Sequence, residues 1–209
     1  MMKPERVEVL TVGHSTQSFT DFLDLLRKAE VTAIADVRSV PYSRRVPQFN
    51  RETLTQALGG EHIAYVFLGD ELGGRPKSPE LFSDGSADYE KMAQSESFTR
   101  GLDRVIEGAR TYRIALLCAE RDPLDCHRCL LVGRALKERG VVVRHILSSG
   151  ETTGQDEIEE KLLAMADLAD KDLFQSRKAR LAAAYRSKAR KAAFSELSAA
   201  PGRDNPPGA

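Results

Sequence analysis

Apolar residues fall in five short runs, at positions 8–13, 31–37, 63–68, 113–118 and 141–147. Each run is nearly continuous rather than alternating, the pattern of a strand covered on both faces. Between the runs, apolar positions recur at helical spacing: Phe22, Leu25, Leu26 and Ala29, then Leu54, Ala57 and Leu58, then Phe98, Leu102, Val105, Ile106 and Ala109. A further helix is expected over 126–139. Ser18 followed by Asp21 predicts the first helix start, and Asn50 the second. Gly59-Gly60 and Gly140 are the expected stops. A Ser/Asp/Gly-rich stretch at 77–94 interrupts the rhythm and reads as a loop or short lid-like insertion. Strands alternating with helices predict an α/β, Rossmann-like three-layer domain with a mainly parallel sheet of about five strands.

That domain is expected to span residues 1–150. Beyond it the charge pattern changes. Residues 150–170 carry seven Asp/Glu against Lys161, a net −6, and residues 171–209 carry nine Lys/Arg against three acids, a net +6. Residues 151–197 are helix-prone and are expected to form a helical extension, acidic and then basic. Residues 198–209, PGRDNPPGA with its flanking residues, are expected to be a disordered tail.

The whole chain has 31 basic and 31 acidic residues, so net charge offers no argument for nucleic acid or membrane. No apolar run approaches the ~18 residues of a membrane span, and the first residues lack a signal-peptide core. Three cysteines, two of them close together, do not form a secreted disulfide framework. A reducing cytoplasmic location is the expectation.

A parallel sheet places ligands outside the carboxyl ends of its strands. The chemically unusual residues follow the predicted strands: His14-Ser15 after the first, Asp36 and Arg38 after the second, Gly73-Gly74-Arg75 after the third, and the segment CAERDPLDCHR after the fourth. These loops are expected to share one rim. Periodicity places Cys126 in the first turn of a helix capped by Asp125, where a thiol is acidified. His127 adds a base, Arg128 a fixed cation and Glu120 a carboxylate. Cys118, at a strand end, reads equally as a nucleophile or a small hydrophobe. Cys129 fits an inward apolar stripe and reads as packing. His14 and Ser15 form a polar pair or a capping turn. Two glycines before Arg75 let the backbone approach a ligand. Walker, GxGxxG and GxSxG patterns are missing, and Leu130 stands where a CxxCH haem site has its His. No cofactor is therefore assigned, and no metal ligand set.

Taken together, TVGHST, IADVRSVPYSRRVPQFN, YVFLGDELGGRP and LLCAERDPLDCHR resemble the domain of unknown function 488 family, in order over residues 8–147. The resemblance implies an α/β domain with marked polar motifs and no established reaction. It marks His14, Ser15, Asp36, Arg38, Pro41, Ser43, Gln48, Phe49, Gly73, Gly74, Cys118, Glu120, Pro123, Cys126, His127 and Arg128. Cys129 and the basic tail lie outside the pattern.

The leading expectation is a thiol-dependent enzyme. Cys118 or Cys126 reacts, His127 or His14 moves protons with Glu120, and an anionic substrate is held by Ser15, Asp36, Arg38, Ser43, Gln48, Gly73, Gly74, Arg75 and Arg128. The alternatives are a nucleic-acid-binding module using the basic tail, and a metal-binding protein using the cysteines. Oligomeric state is not legible.

Overall fold

The computed structural model describes residues 6–168 and 175–195. The expected disordered tail lies outside the described residues. The first strand, β1 (Glu8–Gly13), leads to α1 (Phe19–Lys28). Ser18 caps α1 as expected: the Asp21 backbone N–H donates to Ser18 Oγ at 3.0 Å, and the hydroxyl donates back to Asp21 Oδ2 at 2.7 Å. β2 (Ala33–Asp36) follows, then α2 (Arg51–Gly60) and β3 (Ala64–Phe67). Asn50 precedes α2 but does not cap it with its side chain; its Oδ1 instead accepts from the Ser43 N–H at 2.7 Å, closing the long loop after β2.

A single turn, α3 (Gly69–Leu72), leaves β3. The polar insertion contains a small hairpin, β4 (Phe82–Ser83) with β5 (Ser86–Ala87), and a short helix, α4 (Tyr89–Ala93). Then come α5 (Glu96–Gly108) and β6 (Ile114–Cys118). After a loop the chain enters a π-turn, Arg128–Gly133, that runs into α6 (Arg134–Glu138). Gly140 ends this helix at φ +83° with its N–H on the Lys137 carbonyl, a geometry that favours glycine. β7 (Val142–Ile146), β8 (Thr152–Gly154), α7 (Gln155–Met165) and α8 (Arg177–Ala192) complete the described chain.

The sheet order is β3-β2-β6-β1-β7-β8, parallel except for β8, which runs antiparallel to β7. It thus has one strand more than expected, because Thr152–Gly154 of the presumed extension adds an edge strand. β6 is buried along its whole length and lies between β2 and β1. Its side chains alternate between two apolar layers. Ala115 and Leu117 pack with Leu10, Val12 and Ile34 beneath α1 and α2. Leu116 packs with Val9, Ala35 and Val143 beneath α5, α6, α7 and α8. The three-layer expectation is met, with α8 as part of the second layer through buried Ala184 and Tyr185. Among the described residues, no helix is long and apolar enough to cross a membrane.

Candidate active site

All five parallel strands point the same way, so the exits of β1, β2, β3 and β6 lie on one edge. The β6 exit is tied to the β1 exit by backbone: the His14 N–H donates to Cys118 O at 3.0 Å and the Ser15 N–H to Ala119 O at 2.9 Å. This approach requires Gly13, since a Cβ there would lie 1.9 Å from the Glu120 carbonyl oxygen. The loop from Ala119 to Asp125 is then held from beneath by Arg128. Its guanidinium is fully buried and donates to Glu120 O (2.6 Å), Arg121 O (3.0 Å) and Thr11 Oγ1 (3.3 Å). Arg128 therefore shapes the site and contributes a buried positive charge, with no face toward the cavity.

Cys126 is not in a helix. The segment Pro123–Asp125 is a 3-10 turn capped by Asp122, whose carboxylate accepts from Leu124 N at 2.8 Å. Cys126 follows in extended conformation, and helical backbone begins at His127. The periodicity of the following residues masked this break, because one extended residue does not disturb the apolar spacing. Burial pushes the Cys126 thiol up. The hydrogen bond from Cys118 together with the charges of Arg128 and His127 outweighs it, so Cys126 sits well below the ordinary thiol range. Cys118 goes the other way: burial, then Cys126 and Glu120, hold it well above that range. The two thiols titrate as a pair, with Cys126 held down and Cys118 held up.

Glu120 Oε2 lies 3.0 Å from both sulfurs. Burial, then the negative charge of Cys126, raises its carboxyl pKa. His127 Nε2 bonds the Val37 carbonyl at 2.9 Å, which fixes Nε2 as the protonated nitrogen and turns Nδ1 to the sulfurs, 3.7 Å from Cys118 and 3.9 Å from Cys126. Burial lowers the imidazole pKa, but Cys126 and Glu120 more than compensate, and it is raised. Cys118 Sγ, Cys126 Sγ and His127 Nδ1 lie within 4.8 Å of one another, a donor set able to hold a metal ion. Gly74 packs on this imidazole so closely that a Cβ would lie 2.8 Å from the ring.

These groups form the floor of a cavity of about 180 Å³. Arg38, Ser39, Gly74, Arg75, Tyr89, Ala192 and Phe194 complete its wall. Arg38 is held by Asp36, through Nε to Oδ1 at 2.9 Å and Nη2 to Oδ2 at 2.5 Å. Tyr65 donates to the same carboxylate at 2.7 Å. Arg38 Nη1 donates to His14 Nε2 at 3.1 Å, and His14 Nδ1–H bonds Ser15 O at 2.8 Å. Burial, then the Arg38 cation, pulls the His14 pKa down to about 4, so it is neutral and stacks on Phe49. Arg75 is exposed, its guanidinium 4.9 Å above the Phe194 ring and its N–H on Ser39 Oγ.

Of the residues singled out by sequence, Arg38, Gly74, Arg75, Cys118, Glu120, Cys126 and His127 line the cavity. Asp36 and His14 stand behind Arg38. Ser15, Ser43 and Gln48 serve the loops: Ser43 Oγ accepts from Arg45 N, and Gln48 Nε2 donates to Gln17 O at 3.1 Å. Gly73 fits against Ser39, where a Cβ would lie 2.4 Å from its Oγ. Cys129 points away to Gln155, at 3.6–3.8 Å, as packing predicts. Sequence reasoning missed Tyr65, Tyr89 and Phe194. An aromatic just past a basic helix was a signal for Phe194; the two tyrosines carried none.

A family model described as Domain of unknown function DUF488 matches residues 18–135, more than half of the chain. It includes the exits of β2, β3 and β6 and ends before β7. No curated protein and no solved structure matches the chain.

Proposed function

The chain belongs to the DUF488 family, and we propose that it is an enzyme that takes a small anionic substrate, bearing a phosphate or carboxylate, into the cavity at the carboxyl edge of the sheet. The reacting groups are the sulfur–imidazole–carboxylate cluster of Cys118, Glu120, Cys126 and His127. The observation that carries this reading is the convergence of three strand exits, those of β2, β3 and β6, on one cavity whose floor is that cluster. Proton-handling groups whose pKa values are pushed apart by burial and neighbours are the mark of acid–base sites. Here Glu120 is raised and Cys126 lowered within one contact distance.

The anionic preference rests on the cations. Arg75 stands in the wall and Arg128 lies beneath with its guanidinium bonds spent on neutral oxygens, while the Arg38 charge is matched by Asp36. The volume is below the ~300–1,000 Å³ of pockets for drug-sized ligands, which favours a metabolite-sized molecule. A nucleic-acid module finds less support: Lys188, Arg186 and Arg177 of α8 are paired with Asp125, Glu90 and Glu160 at 2.6, 3.1 and 2.5 Å.

The test is calorimetric titration with inorganic phosphate and small phosphorylated or carboxylated compounds, on the wild type and on Arg75→Ala. Loss of one charge-assisted contact, worth ~1.5–3 kcal/mol, should weaken binding about tenfold or more. An Arg75→Ala protein that binds as tightly as the wild type, or a wild type that binds none of the panel, refutes the reading.

A further inference from the structure

We propose that Cys118, Cys126 and His127 hold one divalent transition-metal ion, zinc by donor chemistry, with Glu120 as an exchangeable fourth donor on the cavity side. The proposal deepens the reading of the cavity as a reaction site and rests on it only for the metal's role; binding itself is measured without substrate.

The geometry carries it. A tetrahedral site with metal–sulfur bonds of ~2.3 Å and metal–nitrogen bonds of ~2.0 Å has sulfur-to-nitrogen edges of about 3.5 Å. The observed edges to His127 Nδ1 are 3.7 and 3.9 Å. Glu120 Oε2, 3.0 Å from each sulfur, would swing out by about half an ångström to complete the tetrahedron. Its side faces the cavity, so a substrate oxyanion can replace it and be polarised by the ion.

The surroundings also suit a metal. Ligating histidines are commonly held by a bond from their other nitrogen to a carbonyl or carboxylate, and here Nε2 bonds Val37 O at 2.9 Å while Gly74 flanks the ring. The Arg128 backbone N–H reaches Cys126 Sγ at 3.4 Å, as an amide does to a bound thiolate. Charge balances as well: a dication with two thiolates and one carboxylate is −1, and the buried Arg128 guanidinium brings the centre to neutrality. Two thiolates and an imidazole select zinc over magnesium or calcium. The CxxC apparent in the sequence is not the ligand pair, since Cys129 Sγ turns to Gln155.

Protein purified without chelators should contain about one zinc per chain by elemental analysis, or take it up on titration. Cobalt(II) should give a sulfur-to-cobalt charge-transfer band and tetrahedral ligand-field bands that saturate at about one equivalent and are abolished by excess zinc. Cys118→Ser, Cys126→Ser and His127→Ala should each weaken zinc binding at least about a hundredfold, more than outer-sphere changes do. Cys129→Ser should bind as the wild type does. If the ligand variants fail to fold, the cobalt spectrum of the wild type decides: a saturating charge-transfer band supports the site and its absence overturns it. Zinc retained equally by all three folded ligand variants also overturns it. Metal binding without anion binding would remove the proposed substrate class and leave this site standing. Arg75-dependent anion binding by a protein that takes up no zinc or cobalt would do the reverse.

Discussion

Acid should destabilise this protein well before its carboxylates titrate, and His145 is a main cause. The side chain is fully buried in β7. Its Nε2–H bonds Gln155 Oε1 at 2.7 Å, and its Nδ1 accepts from the Thr11 hydroxyl at 2.8 Å. Thr11 in turn accepts from Arg128 Nε, so the ring is neutral by construction. Protonating Nδ1 would break the Thr11 bond and place a second cation near Arg128. Burial, opposed in part by Gln155 and reinforced by Arg128, brings the pKa from 6.5 down to about 4. The unfolded chain binds this proton near pH 6.5 and the native protein only near pH 4, so the unfolded state holds more protons in between. Stability therefore rises with pH across that window and is lost as pH falls through it. At pH 5 the loss from His145 alone is about 2 kcal/mol relative to pH 8, with a local slope of up to ~1.4 kcal/mol per pH unit.

The measurement is urea unfolding from pH 4.5 to 8 in chelator-containing buffer. It is followed by far-UV circular dichroism, because the chain has no tryptophan. The comparison is with His145→Asn. The variant starts less stable, but its stability should fall less steeply below pH 6.5, by close to one proton's worth of slope. His14 and the acids titrate in both proteins and cancel. Equal slopes in the two would show that His145 is protonated in the native state, and the buried neutral network would be wrong.

Gly13→Ala should destabilise strongly, by about 3 kcal/mol or more, because its Cβ must displace the Glu120 carbonyl; Gly59→Ala, with open space around its Cβ, should be neutral or gain up to ~1 kcal/mol, and urea midpoints decide both. Arg128→Lys should cost about 2–4 kcal/mol, since an ammonium cannot span the Glu120 and Arg121 carbonyls and Thr11 together; a thermal midpoint unchanged from the wild type would refute its role as the loop's support. Phe194→Ala should cost only about 1–2 kcal/mol, since its half-buried ring packs at the edge of the second apolar layer and beneath the Arg75 guanidinium. It should nevertheless speed alkylation of the metal-free site cysteines by iodoacetamide, because the ring is part of the cavity wall. An unchanged alkylation rate would mean that Phe194 does not limit access.

Much of the site was legible because parallel sheets impose a rule on loops. Once the runs ending at Gly13, Asp36, Phe67 and Cys118 are read as parallel strands, their exits must share an edge. The residues of those exits, Arg38, Arg75, Cys118, Glu120, Cys126 and His127, do meet there. Roles within the site were less legible. Arg128 looked like a substrate cation, and His14 like a catalytic base. Both depend on what lies around them: Arg128 is enclosed because β1 brings Thr11 alongside, and His14 is neutral because of its burial and then the Arg38 cation beside it.

What the sequence by itself determined is therefore local and periodic. It set the alternation of strands and helices, the cap at Ser18, the stop at Gly140, and the placement of reactive groups at strand ends, because each follows from backbone geometry within a few residues. The tertiary structure alone decided that β6 inserts between β2 and β1, that Thr152–Gly154 joins the sheet, and that Ala192 and Phe194 close the cavity. It alone decided that Cys118 pairs with Cys126 rather than Cys126 with Cys129. Hydrophobic period specifies which face of an element is buried, and it carries no information about which distant element does the burying.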